Sequence, residues 1–155
     1  MKVKVAEASG VVLDWLVAKC EGADNLRRNV HRFNNDWILD WPRDQEGKTP
    51  RVEYLAEFSP TNSWAQGGPI IAREGIGMLF DAGSACKEPA WFATPDDQQV
   101  SHGYEGENFD PAFMVYEADG CYGPTPLTAA MRCYTSSRLG EEVEVPAELF
   151  LEKHQ

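Results

Sequence analysis

The chain has 155 residues, 14 Lys plus Arg against 25 Asp plus Glu, a net charge of −11 and 43% hydrophobic residues. These figures describe one ordinary domain that can bury a core without disulfides or a structural metal. No apolar run is long enough to span a membrane and the first ten residues lack a signal peptide's apolar stretch, so neither membrane association nor secretion is expected.

Lys2 to Ala6 alternates polar and apolar residues, with Val3 and Val5 on one side, and predicts a short half-buried strand. Ser9 is a suitable N-cap for a helix over about 10–21, whose broad apolar face carries Val12, Leu13, Trp15, Leu16 and Cys20, with Asp14 and Lys19 on the more polar side. Gly22 supplies the left-handed position that ends many helices. Trp37, Leu39 and Trp41 share one side of a predicted strand that Pro42 terminates, and the residues near 43–50 read as a mobile loop. Val52 to Phe58 alternates imperfectly and is read as a strand.

Ser59 to Gly75 is the most informative stretch. Ser63 and Gln66 have capping-box spacing, which starts a helix at Trp64. Gly67 and Gly68 weaken a helix interior and Pro69 removes an amide donor, so two short helical turns near 63–74 are expected in place of one helix. Ile76 to Phe80 and Ala90 to Ala93 predict a hairpin. The acidic stretch near 94–112, with Asp96, Asp97, Glu105, Glu107 and Asp110, reads as a solvated mobile loop, and Phe113 to Glu117 as one more strand. Thr125 can cap a helix with Pro126 at its first position, carrying Leu127, Ala130, Met131 and Tyr134 to a stop at Gly140, over about 126–139. The acidic tail, 141–155, is expected to dock loosely. Together these elements predict an α+β fold, a single domain over 1–155 with a central, mostly antiparallel sheet and two main helices.

Charge and chemistry exclude some functions. Residues 1–51 carry 9 basic and 8 acidic side chains, whereas 52–155 carry 5 and 17. That acidic surplus disfavours ordinary DNA or RNA binding, which rests on Lys and Arg displacing counterions. Cys20, Cys86, Cys121 and Cys133 form no close pair, and His31, His102 and His154 are scattered, so no metal site, cofactor or disulfide framework is expected. Ser101 and His102 are neighbours in sequence, which does not make a nucleophile and base, and no catalytic residue is assigned.

Three blocks carry a resemblance. The early Leu13-Asp14-Trp15 helix, the central Ser59-Pro60 to Ile71 segment with its Trp64-Ala65-Gln66-Gly67-Gly68-Pro69-Ile70-Ile71 core, and the late Gly123-Pro124-Thr125-Pro126-Leu127 to Val145-Pro146 segment resemble the NinX-type phage proteins, a family of unknown function from tailed phages and prophages. The resemblance implies a phage origin and a cytoplasmic setting in the infected bacterium. It implies no activity.

The residues themselves suggest pocket chemistry. Asn62, Ser63 and Gln66 place neutral hydrogen-bonding groups beside Trp64, Gly67 and Gly68 allow a ligand close to the backbone, and an aromatic plate with amides suits a planar heterocycle such as a nucleobase. Arg73 or Arg132 can meet a phosphate or carboxylate, the helix start at Thr125 can attract an anion, and Trp15 can line the same pocket. The plainer alternative makes Trp64 and Trp15 core residues, Asn62, Ser63 and Thr125 caps, and the glycines a tight turn. Three functions stay open. The first is sequestration of a nucleotide-like ligand such as a host defence signal, in a pocket that a second subunit of a homo-oligomer can complete. The second is an acidic module that occupies a host enzyme, as a nucleic-acid mimic does. The third is a nucleotide hydrolase.

Overall fold

A computed structural model describes residues 1–30, 36–42, 51–83, 88–95 and 120–154. Its first half runs β1 (Lys2–Lys4), α1 (Gly10–Cys20), β2 (Asp24–Arg28), β3 (Trp37–Trp41) and β4 (Arg51–Tyr54). Its second half runs α2 (Trp64–Glu74), β5 (Gly77–Asp81), β6 (Ala90–Thr94), β7 (Cys121–Gly123), α3 (Pro126–Leu139) and β8 (Glu142–Glu144). Tight 3-10 turns occupy Val5–Glu7, Leu55–Glu57 and Ala147–His154. The expected loop near 43–50, nearly all of the acidic stretch near 94–112 and the strand read over Phe113 to Glu117 lie outside the described residues, as do His31, His102 and Cys86.

The architecture is a small α+β domain, as the sequence predicts, with every strand pair among the described residues antiparallel. The pairing is divided among three small sheets rather than one central sheet: β1 with β8, β2-β3-β4, and β5-β6-β7. The β2-β3-β4 sheet meets the Leu55–Glu57 turn, which meets α1, and what unites the other two sheets is α3. Its Leu127, Ala129, Ala130, Met131, Cys133 and Tyr134 are all buried, against α1 on one side and β6 and β7 on another. Local chemistry starts this helix as expected: Thr125 Oγ1 accepts the Thr128 amide at 3.1 Å and Pro126 occupies the first turn. Ser9 likewise precedes α1, although its hydroxyl makes no capping bond. Leu13, Leu16, Val17 and Ala18 carry α1 into the core.

The tail is anchored, which corrects the expectation of loose docking. Val143 pairs with Val3 across β1 and β8, and Val145 and Leu149 are at most 1% exposed. The acidic residues face out while two aliphatic side chains fill the core.

α2 is the larger correction. It is one helix from Trp64 to Glu74 with Pro69 inside it, not two turns. Pro69 cannot donate to the carbonyl of Ala65, but Ala65 is exposed and water can take that bond. A residue before proline is pushed out of the helical region by its Cβ, and Gly68 has none. Gly67 answers a different demand: a Cβ there would lie 2.5 Å from the carbonyl oxygen of Pro60 and 2.8 Å from Leu127 Cδ2. The residues that argue against a helix by propensity are the ones that let this helix bear a proline and press against its neighbours. Gly75, at φ +63°, closes it in the left-handed region.

Candidate functional site

The site grows from a buried carboxylate. Asp14 sits on α1, 5% exposed, with Oδ1 accepting the backbone amide of Thr61 at 3.0 Å and Oδ2 accepting the hydroxyl of Ser59 at 3.2 Å. Burial raises its pKa and outweighs those bonds, which pull the other way. The polar side of α1 is therefore turned inward at this one position, to hold the 59–63 segment that launches α2.

Gln66 fastens the same segment from the other side. Its Oε1 accepts the amide of Ser59 and its Nε2 donates to the carbonyl of Glu57 at 2.8 Å. The capping-box spacing thus serves a different bond. Ser63 makes no side-chain cap, and Gln66 reaches past it to Ser59. Asn62 completes the turn by donating through Nδ2 to Ser59 Oγ at 3.2 Å and to Thr61 Oγ1 at 3.3 Å.

Trp64 opens the helix, and its side chain is 54% exposed, so it is not a core residue. One turn on, a Cβ at Gly68 would come within 4.0 Å of Trp64 Cε3, ordinary van der Waals contact, so the ring runs alongside Gly68 with about half of the residue open to solvent. The result is a half-exposed aromatic ring next to a turn pinned by Asp14 and Gln66.

Asn62, Ser63, Trp64 and Gly68 lie together at the start of α2, whereas Gln66 has both ends of its amide bonded to backbone, Gly67 faces Pro60 and Leu127 inside the fold and not a ligand, and the other four candidates have duties elsewhere. Trp15 is 8% exposed and belongs to the core. Arg132 donates to the carbonyls of Ala8 and Tyr122, both at 2.8 Å, and burial lowers its pKa. Thr125 caps α3 and bonds Thr128 through both side chain and backbone. Arg73 lies nine residues along α2, about 14 Å from Trp64 at 1.5 Å per residue.

There Arg73 joins a network near the C-terminal ends of α1, α2 and α3. It forks onto Glu21, bonds Glu74 at 2.9 Å and reaches the Tyr134 hydroxyl at 3.2 Å, while Tyr134 donates to Glu21 at 2.8 Å and Arg138 pairs with Glu74 at 3.0 Å. Burial, reinforced by the bond to Glu21, raises the Tyr134 phenol. A cleft of about 340 Å³ opens here, lined by Arg73, Glu74, Ile76, Cys133, Tyr134 and Ser137. Its charged groups are already paired with one another. The roles of Asp14, Ser59, Thr61, Glu21 and Tyr134 were missed in the sequence. The signal for Asp14 was a carboxylate inside an otherwise apolar helix, which implies a buried partner without saying which.

Among the described residues, no group of three or more His, Cys, Asp or Glu could hold a metal ion, and no helix is long and apolar enough to cross a membrane. Comparison with known proteins bears out the resemblance: the family model described as Bacteriophage P22, NinX matches residues 4–138. No curated protein matches the chain.

Proposed function

The chain belongs to the family described as Bacteriophage P22, NinX, and from that premise we propose that this phage accessory protein captures a nucleotide-like small molecule in the infected cell's cytoplasm, without consuming it. The observation that carries the reading is the indole of Trp64, 54% exposed next to a turn whose backbone is fastened from two sides. A rigid plate loses little entropy when a planar ring settles on it, and base–aromatic stacking contributes roughly 1–3 kcal/mol. The capture of a host defence signal suits such a protein, because sequestration needs affinity and no catalytic groups.

Calorimetric titration with AMP tests this. Trp64→Ala should weaken binding at least about fivefold, the low end of the stacking range, and Gly68→Leu, which lays a side chain over the ring, should weaken it too. Binding unchanged in both variants would rule out the plate.

A second reading, a surface that occupies a host protein, draws support from the edge strand β5, where Leu79 and Phe80 are 40% and 51% exposed. Retention of a host enzyme that Phe80→Ser abolishes, with AMP binding absent, would favour it.

A further inference from the structure

We infer that Asp14 sets the hydrogen-bonding polarity of the Trp64 surface, through Ser59, so that Asn62 presents an acceptor and selects a ring that carries an exocyclic amine. The inference rests on the ligand reading proposed above and adds the class of base that the plate prefers.

A carboxylate only accepts hydrogen bonds, so the Ser59 hydroxyl must spend its single proton on Asp14 Oδ2, 3.2 Å away. The lone pairs left on Ser59 Oγ can then only accept, and they take Asn62 Nδ2 at 3.2 Å. Thr61 Oγ1 accepts from the same nitrogen at 3.3 Å. With its amide nitrogen held inward by two acceptors, Asn62 can turn only its carbonyl oxygen outward. Asn62 is exposed, and no described residue donates to Oδ1. A buried charge on α1 is thereby read out at the surface, two hydrogen bonds away, as the choice between an acceptor and a donor two residues before Trp64. A ring stacked on Trp64 gains a bond there if its edge carries an N–H, as the amino group of adenine or cytosine does. A ring with only acceptors on that edge gains none.

Exchange of the charge for an amide reverses the chain. In Asp14→Asn the retained oxygen still takes the Thr61 amide, and the new nitrogen faces Ser59 and donates to it. Ser59 then gives its own proton to Asn62, whose amide turns over and presents nitrogen outward. Asp14→Asn has nearly the same shape as the parent, so it separates polarity from packing.

The test compares AMP with purine riboside 5′-monophosphate, which lacks the amine and keeps the ring nitrogens as acceptors. One net hydrogen bond corresponds to about fivefold in affinity, so the parent protein should bind AMP about fivefold more tightly. In Asp14→Asn that ratio should fall to about one, because both ligands offer an acceptor to the outward nitrogen. Asn62→Asp, which can only accept, should retain the preference for AMP. A merely structural role for Asp14 would change both affinities together and leave the ratio alone, and that result would overturn the inference. Side-chain amide NMR reads the relay without any ligand: the Asn62 NH2 protons should exchange with water slowly in the parent and faster in Asp14→Asn and in Ser59→Ala. Equal exchange in all three would refute the relay even if AMP binds. If instead the relay is present and neither nucleotide perturbs Trp64, the ligand reading fails and not the relay.

Discussion

Gly67→Ala measures how closely α2 is pressed into the fold. The added methyl would meet the Pro60 carbonyl oxygen at 2.5 Å and Leu127 Cδ2 at 2.8 Å, both far inside van der Waals contact. Leu127 can rotate away, but the Pro60 carbonyl is backbone, in the segment that Asp14 and Gln66 hold on either side. Overpacking of this kind costs typically about 1–3 kcal/mol, and the exchange of glycine for alanine in a helix returns about 1 kcal/mol. A net loss of about 1–2 kcal/mol follows, since the blocking atom is backbone, and for a domain of this size that lowers Tm by about 2–8 °C. Gly68→Ala is the internal control. Its methyl finds nothing nearer than Trp64 Cε3 at 4.0 Å, and the helix-propensity gain there is opposed by the restriction that Pro69 places on a preceding Cβ. The two effects should leave its stability within about 1 kcal/mol of the parent. Urea and thermal unfolding followed by circular dichroism distinguish the variants. If Gly67→Ala is as stable as Gly68→Ala or more so, the close approach of α2 to the 59–61 segment is wrong, and with it the placement of Trp64.

Other outcomes follow from the same contacts. Gln66→Ala strands the Ser59 amide and should cost about 1–3 kcal/mol in urea unfolding, whereas Trp64→Ala, at an exposed position, should change stability by no more than about 0.5 kcal/mol. On acidification the two kinds of carboxylate oppose each other. Burial raises Glu21, but the bonds from Arg73 and Tyr134 outweigh it, while the bond from Arg73 leads in lowering Glu74. Their stabilisation is present above the unfolded value of 4.5 and lost as pH falls through the lower folded values. Asp14 runs the other way: its folded pKa is raised, so its contribution is fully present below 3.8 and lost as pH rises through the folded value. Thermal melts from pH 7 to pH 3 should therefore show a steeper acid decline in Asp14→Asn and a shallower one in Arg73→Ala. Parallel profiles for all three proteins would contradict these assignments. Cys20, whose thiol burial pushes up to about 11, should react slowly with alkylating agents at pH 8 in the folded protein, and rapid labelling at that site would show it to be open.

Elements whose signals are local were legible in the sequence. Thr125 with Pro126, and Gly140 at the far end, bracket α3, and the short apolar runs at 76–80 and 90–93 give the β5–β6 hairpin. What escaped depends on distant partners. β2, Asp24-Asn25-Leu26-Arg27-Arg28, has no alternating pattern and exists because β3 offers it an edge. β7 is three residues long and is specified by β6 and α3. β8 hides its purpose in an acidic run, since only its pairing with β1 shows why Val143 is there. At the candidate site the same division holds. The cluster from Asn62 to Gly68 is contiguous and was visible as a cluster. Its internal bonding was not, because the group that organises it, Asp14, lies 47 residues away from Thr61 in sequence. Arg132 shows the limit of residue type as a guide: a guanidinium that reads as a phosphate ligand ties two backbone carbonyls together inside the fold.

The most direct measurement is fluorine NMR of the protein carrying fluorotryptophan at its five Trp positions, with the Trp64 signal assigned through Trp64→Phe and the sample titrated with AMP. This one resonance should move saturably while those of the buried Trp15 and the sheet residues Trp37, Trp41 and Trp91 stay in place. A Trp64 signal that stays fixed through the titration would contradict it.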